Sequence, residues 1–275
     1  MSETAEIAKI LELAVRLARE AGAIQRERWG TELTISTKSA EVDLVTEVDR
    51  ACEDLVVTAL ERERPGDAIL AEEGGLRERP GASFRWVIDP LDGTTNFAHG
   101  YPCFCVSIAV EREGESHVGV VYDPVLDELY HATFGGGAFR NGVAIRTSRE
   151  TDLGRSLVAT GFAYDRRKSE RDNLAEVATF LQRARAIRRD GSAALDLCAV
   201  AGSRLDGYWE FKLAPWDVAA GRLIVTEAGG RVSDRHGGVA PASGAEMVAS
   251  NGAIHEAMLA ALAAAAQDGL PEGGR

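Results

Sequence analysis

A layered α+β architecture is the fold class this chain predicts, on three observations. Amphipathic helical runs alternate with short apolar strand-like runs along most of the sequence. A block rich in hairpin signals occupies the centre. The chain has 275 residues, above the usual range for one compact domain, so two packed halves or one large α/β unit is expected.

Ile7, Ile10, Leu11, Ala14, Leu17, Ala18 and Ala21 recur at three- and four-residue spacing and predict a first helix, stopped by Gly30. A polar strand-like stretch then leads to 42–46. Thr46, with Asp49 three residues on, resembles a capping box with Asp in place of the usual Glu. The second helix turns Val48, Ala51, Cys52, Leu55, Val56, Ala59 and Leu60 inward, and Pro65-Gly66 ends it. Apolar runs at 68–71 and 84–88 predict buried strands; 106–110, 118–122 and 128–133 are strand-like, and Asn141-Gly142 is a hairpin signal. After a polar stretch at 146–155, strands near 157–160 and 186–189 alternate with helical runs at 172–185, 193–201, 218–228 and 254–265. Residues 1–150 and 151–266 are read as two halves, and 267–275 as a disordered polar tail.

Composition excludes several classes. With 45% hydrophobic and 27% charged residues, the chain is neither disordered nor fibrous. The longest apolar stretch, Met258 to Ala266, is too short to span a bilayer, and the acidic start shows no secretory signal, so a cytoplasmic protein is expected. A net charge of −12 makes a poor general binder of nucleic acid or anionic membrane. Cys52, Cys103, Cys105 and Cys198 are too few for a disulfide scaffold and read as reduced thiols, Cys103 and Cys105 on one strand face.

The most informative string is Trp86-Val87-Ile88-Asp89-Pro90-Leu91-Asp92-Gly93-Thr94-Thr95-Asn96-Phe97. A strand ends in a carboxylate, proline turns the chain, and a second carboxylate follows three residues after the first. Two acids facing one small volume repel unless a cation compensates, and hard divalent ions prefer such oxygen ligands. Gly93 and Thr94 then open a helix, whose free N–H groups suit an anion. Two further acid clusters, Glu72-Glu73 after an apolar run and Asp217 at the mouth of an apolar helix, add to this string. Each alone reads as a strand-end charge or an N-cap.

With all these segments in order, the chain resembles the inositol monophosphatase family of metal-dependent, lithium-sensitive phosphatases. The matching stretches are EVDLVTEVD (41–49), LAEEGG (70–75), WVIDPLDGTTNFAHG (86–100), RRDGSAALDL (188–197) and PWDVAAGRLIVTEAGG (215–230). Ala71 departs from the Gly that family members often carry before the first Glu. The resemblance implies an αβαβα sandwich, usually a homodimer. It implies that Glu72, Asp89 and the Leu91 carbonyl hold one Mg²⁺, that Asp89, Asp92 and Asp217 hold a second, and that a weaker third ion sits near Glu72. The Gly93 and Thr94 N–H groups would hold the phosphate. Asp49 would bond the Thr94 hydroxyl, and Thr94 with Glu72 would orient the attacking water.

Rival chemistries fit less well. A haloacid-dehalogenase-type signature spaces its two acids by two residues, a glycosidase pair leaves Gly93-Thr94 unexplained, and 135–140 fails the dinucleotide fingerprint at Arg140. Some bacterial relatives also bind transcription machinery or RNA, yet the basic stretch from Asp165 to Asp190 reads as a solvated helix face. The substrate is read as a small phosphate monoester, inositol 1-phosphate first. Asp92, Glu210, Asp190, Gly191, Ser192 and Ala193 resemble residues lining the substrate pocket. Lys38 could contact phosphate or an outer ion, or be an exposed loop lysine. Histidinol phosphate remains open, as do fructose 1,6-bisphosphate and 3′-phosphoadenosine phosphates, whose second phosphate has only Arg189 as a nearby basic partner.

Overall fold

The computed structural model describes residues 3–169 and 171–268. Helices α1 (Glu3–Arg28) and α2 (Glu47–Glu63) flank a small ribbon of β1 (Ile35–Thr37) and β2 (Leu44–Thr46). The first large sheet contains β3 (Ala68–Ala71), β4 (Gly75–Arg77), β5 (Arg85–Asp92), β6 (Cys105–Arg112), β7 (Glu115–Asp123), β8 (Glu128–Thr133), β9 (Gly137–Arg140) and β10 (Val143–Ala144). Its order is β10-β9-β8-β7-β6-β5-β3-β4, antiparallel except for the parallel pair β3 and β5. A short helix α3 (Thr94–Ala98) leaves the end of β5.

The second sheet holds β11 (Leu157–Thr160), β12 (Ala186–Arg188), β13 (Gly207–Phe211), β14 (Arg231–Ser233) and β15 (Glu246–Ser250), in the order β12-β11-β13-β15-β14. Helices α4 (Leu174–Arg183), α5 (Ala193–Ala201), α6 (Pro215–Glu227) and α7 (His255–Asp268) complete the fold. No helix among the described residues is long and apolar enough to cross a membrane.

Strand alternation builds the layers. In the first sheet Trp86, Ile88, Val106, Ile108 and Val120 face the core shared with α1 and α2, while Val87, Ala109 and Val121 face α5 and α6. In the second sheet Tyr208 and Ala249 face α5 and α6, and Val158, Trp209 and Val248 face α4 and α7. Both faces of both sheets are therefore covered, which is the expected αβαβα sandwich.

Several expectations shift. β5 does not stop at Asp89 but runs through Pro90 to Asp92, with a bulge between the two acids that accommodates the missing proline N–H. β6 begins at Cys105, leaving Cys103 in the preceding loop. β13, β14 and β15 have no counterpart among the strands expected from the sequence. The expected tail begins two residues too early, since α7 continues through Gln267 and Asp268; the rest of it lies outside the described residues.

One buried residue ties the second sheet to its loops. Asn173 donates from Nδ2 to the Thr160 hydroxyl (2.8 Å) and the Gly161 carbonyl (2.7 Å), and its Oδ1 accepts from the Trp209 indole (2.8 Å). Replacing Asn173→Ala leaves Trp209 and Gly161 without these partners in a dry core, at a cost of about 3 kcal/mol. Thermal unfolding of N173A should fall by roughly 6–12 °C, and an unchanged melting temperature refutes the role given to this network.

Candidate active site

The parallel pairing of β3 with β5 brings two acids side by side. Ala71 lies opposite Ile88, so Glu72 follows β3 where Asp89 ends the apolar part of β5; the Glu72 N–H bonds the Ile88 carbonyl (3.2 Å). Asp89 and Asp92 flank the β5 bulge and are almost fully buried. From far along the chain, α6 delivers Asp217 in its first turn, after Pro215. Glu72, Asp89, Leu91, Asp92, Gly93, Thr94 and Asp217 all line one cavity of about 700 Å³, together with Lys38, Arg189, Gly191, Ala193 and Glu210.

Each of the three aspartates is aimed by a backbone N–H. Asp89 Oδ1 accepts from the Leu91 N–H (3.0 Å), and Asp217 Oδ2 from the Ala214 N–H (2.6 Å). Asp92 Oδ2 accepts from the Ser192 hydroxyl and the Ala194 N–H, both at 2.7 Å. Gly93 is required where β5 meets α3: its φ is +97°, and a Cβ there would stand 2.8 Å from the Cys103 carbonyl oxygen. Thr94 donates its hydroxyl hydrogen to Asp49 Oδ1 (2.8 Å), while Asp49 Oδ2 accepts from the Thr46 N–H (2.8 Å) and hydroxyl (2.6 Å). The capping pair of α2 thus also holds the Thr94 side chain.

The electrostatics are those of acids crowded around one ammonium, that of Lys38. Burial, then repulsion from Glu72, Asp92 and Asp217, drives Asp89 well above its ordinary range. Asp217 is raised by burial and by Asp92. Burial lifts Glu72 to about 7 against the pull of Lys38, and Glu72 and Asp89 are hydrogen-bonded to each other. Two carboxylates in that contact must share a proton or a cation. Lys38 meets part of this need: its ammonium contacts Glu72 Oε1 (2.7 Å) and also Glu73. Burial alone would lower the Lys38 pKa, but the two glutamates outweigh it and hold the group above its usual value.

Among the described residues no three His, Cys, Asp or Glu side chains converge closely enough to enclose an ion as they stand. Asp92 is drawn towards Ser192, Asp217 towards its own cap and Glu72 towards Lys38. The donor set around the cavity nonetheless consists of hard carboxylate oxygens, which suits a hard divalent cation better than a soft one.

Two residues expected at the pocket wall sit elsewhere. Asp190 lines a second cavity of about 330 Å³, its carbonyl accepting from Asn96 Nδ2 (2.7 Å), and Ser192 lies behind Asp92 as its hydrogen-bond donor. Tyr164, Arg166 and Lys212 line the main cavity and were not expected there. Tyr164 and Arg166 lie in the loop between β11 and α4, where no period signals a side-chain direction; Lys212 directly follows the unanticipated β13.

The model for the inositol monophosphatase family matches residues 6–267. The chain is 45% identical to the inositol-1-monophosphatase of Synechocystis sp. over 257 residues, covering 94% of this chain and 90% of that protein. It is 42% identical to the Nus factor SuhB of Escherichia coli, over 91% of this chain and 94% of that one. Its fold superposes on the inositol monophosphatase from Anabaena (Nostoc) with a TM-score of 0.86 at 40% identity, covering 94% and 97% of the two chains. The aspartate-flanked turn, the glutamate beside it and the distant helix-capping aspartate therefore sit in a phosphatase, and the chain belongs to the inositol monophosphatase family.

Proposed function

We propose that the chain hydrolyses the phosphate monoester of a small polyol, inositol 1-phosphate foremost, with Mg²⁺ as cofactor. The observation that carries this reading is the meeting of Glu72, Asp89, Asp92 and Asp217 with the Thr94–Asp49 pair around one cavity. Two to three Mg²⁺ ions would be held by Glu72, Asp89, the Leu91 carbonyl, Asp92 and Asp217. When bound, Mg²⁺ supplies the positive charge that offsets the acids and the incoming phosphate, and it makes nearby water more acidic.

The chain's own groups do the rest. The N–H groups of Gly93 and Thr94, at a helix start with no intrahelical acceptor, bind phosphate oxygens. Thr94 Oγ accepts a proton from the attacking water as it passes its own to Asp49 Oδ1. Burial raises Asp49 above the usual carboxylate range, which favours that uptake. Glu72 orients the same water, which attacks phosphorus directly, and no covalent enzyme intermediate forms. Glu210 accepts a hydrogen bond from a substrate hydroxyl. A homodimer in the cytoplasm completes this reading.

A second role is favoured by one finding, the similarity to proteins named Nus factor SuhB. An adaptor role of that kind would survive Asp89→Asn in the cell, whereas an enzymatic role would not.

EDTA should abolish phosphatase activity and Mg²⁺ restore it; full turnover in EDTA refutes the metal assignment. Asp89→Asn should lower kcat/KM at least about a hundredfold with an unchanged circular dichroism spectrum, and near-normal turnover removes Asp89 from the cage. The pH dependence of the metal-free chain has a definite sign. Glu72 and Glu210 are pushed up to about 7 in the folded state, against about 4.3 for an unfolded glutamate. The folded chain therefore binds more protons between these values, so stability falls as pH rises through about 4 to 7. Metal-free protein should melt about 5 °C or more lower at pH 8 than at pH 5, with Mg²⁺ narrowing the gap; a melting temperature that rises with pH contradicts the crowding.

A further inference from the structure

Glu210 is held differently from the acids of the cage. It lies on β13 two residues after Tyr208, on the same face, and both side chains are buried, at 9% and 0% exposure. The Tyr208 hydroxyl donates to Glu210 Oε2 at 2.6 Å. From the opposite side the carboxylate rests on Gly161, the residue that follows β11. A Cβ on Gly161 would stand 2.0 Å from Oε2 and 2.2 Å from both Cδ and Oε1. That shelf is itself fixed, because Asn173 holds the Gly161 carbonyl and β11 pairs in parallel with β13. Among the described residues Oε1 has no hydrogen-bond donor, and Glu210 lines the same cavity as Asp92 and Asp217.

We infer that Tyr208 and Gly161 form a positioning device for Glu210. The phenol donates to one oxygen, and the bare glycine backbone lets the carboxylate lie close against it. The other oxygen is thereby presented as an acceptor for a hydroxyl on the alcohol portion of the substrate. An acceptor so placed favours esters whose alcohol carries a free hydroxyl near the phosphate. Tyr208 touches no substrate; it acts through Glu210. This inference rests on the polyol-phosphatase reading above.

The test compares inositol 1-phosphate with phenyl phosphate, which has no hydroxyl to be read, on the Mg²⁺-loaded enzyme. Tyr208→Phe removes one oxygen from a buried site and leaves the ring. It should lower kcat/KM for inositol 1-phosphate relative to phenyl phosphate about tenfold, mainly through KM. Gly161→Ala, which displaces the carboxylate from the other side, should lower the same ratio. In the Glu210→Gln background, adding Tyr208→Phe should change the ratio less than about twofold, because the two residues act as one unit. A wild-type preference that survives Y208F, or full additivity in the double variant, overturns the inference and leaves the polyol reading standing. A wild-type enzyme without any preference for inositol 1-phosphate overturns the polyol reading, and the inference with it.

Discussion

Repulsion among buried carboxylates is the constraint on which the active site depends. Glu72, Asp89, Asp92 and Asp217 line one cavity; burial raises all four above their ordinary range, and repulsion within the set adds to it at Asp89 and Asp217. A fold that gathers acids so tightly gives up stability at that point. The remedies within the chain are partial: the contact between Glu72 and Asp89, and the ammonium of Lys38 reaching in from the loop after β1. Both are replaceable by a mobile cation, whereas a salt bridge built permanently into the core would have closed the cavity to substrate.

The layered architecture makes this crowding possible. Parallel pairing of β3 and β5 sets Glu72 beside Asp89 without a tight turn between them. The bulge around Pro90 swings Asp92 into the same space, where Ser192 and Ala194, at the start of α5, catch it. Because α5 and α6 are sandwiched between the two sheets, the first turn of each is clamped from both sides, and Asp217 is held in place by its own cap. The acids are therefore supported by backbone N–H groups on elements that the hydrophobic core fixes, not by flexible side chains alone.

How much of this was legible in the sequence depended on the range of the interaction. Apolar spacing located α1 and α2, and the longer helical runs located α4, α5, α6 and α7, because each helix turns apolar residues towards a core. The Thr46–Asp49 capping pair was visible because a cap is a local, three-residue event, and it proved to lie behind Thr94. β13 escaped notice: all five of its residues are buried, so polar–apolar alternation never appears, and Glu210 interrupts its apolar run. The places of Tyr164, Arg166 and Lys212 on the cavity wall were equally hidden, since they depend on how loops close over a site. The family resemblance supplied the set of acids; only the three-dimensional arrangement separated Gly191 and Ala193, which line the cavity, from Asp190 and Ser192, which do not.

The other buried acids show which feature marks a functional carboxylate here. Buried Asp67 accepts from the Trp86 indole (2.9 Å) and, at both oxygens, from the Arg64 guanidinium (2.7 and 3.3 Å), and half-buried Asp206 accepts from the Ser148 hydroxyl (2.5 Å) and the Leu157 N–H (2.7 Å), one donor per oxygen. Such acids are satisfied by the chain and need nothing from solution. Glu210 stands between these and the cage, with one oxygen bonded to Tyr208 and the other left for a neutral donor. Asp89 lies at the far end: besides the Leu91 N–H, its side-chain partner is another acid, Glu72. Among these acids, those met at both oxygens hold loops, Glu210 keeps one oxygen without a donor on the cavity wall, and those crowded against one another call for a cation.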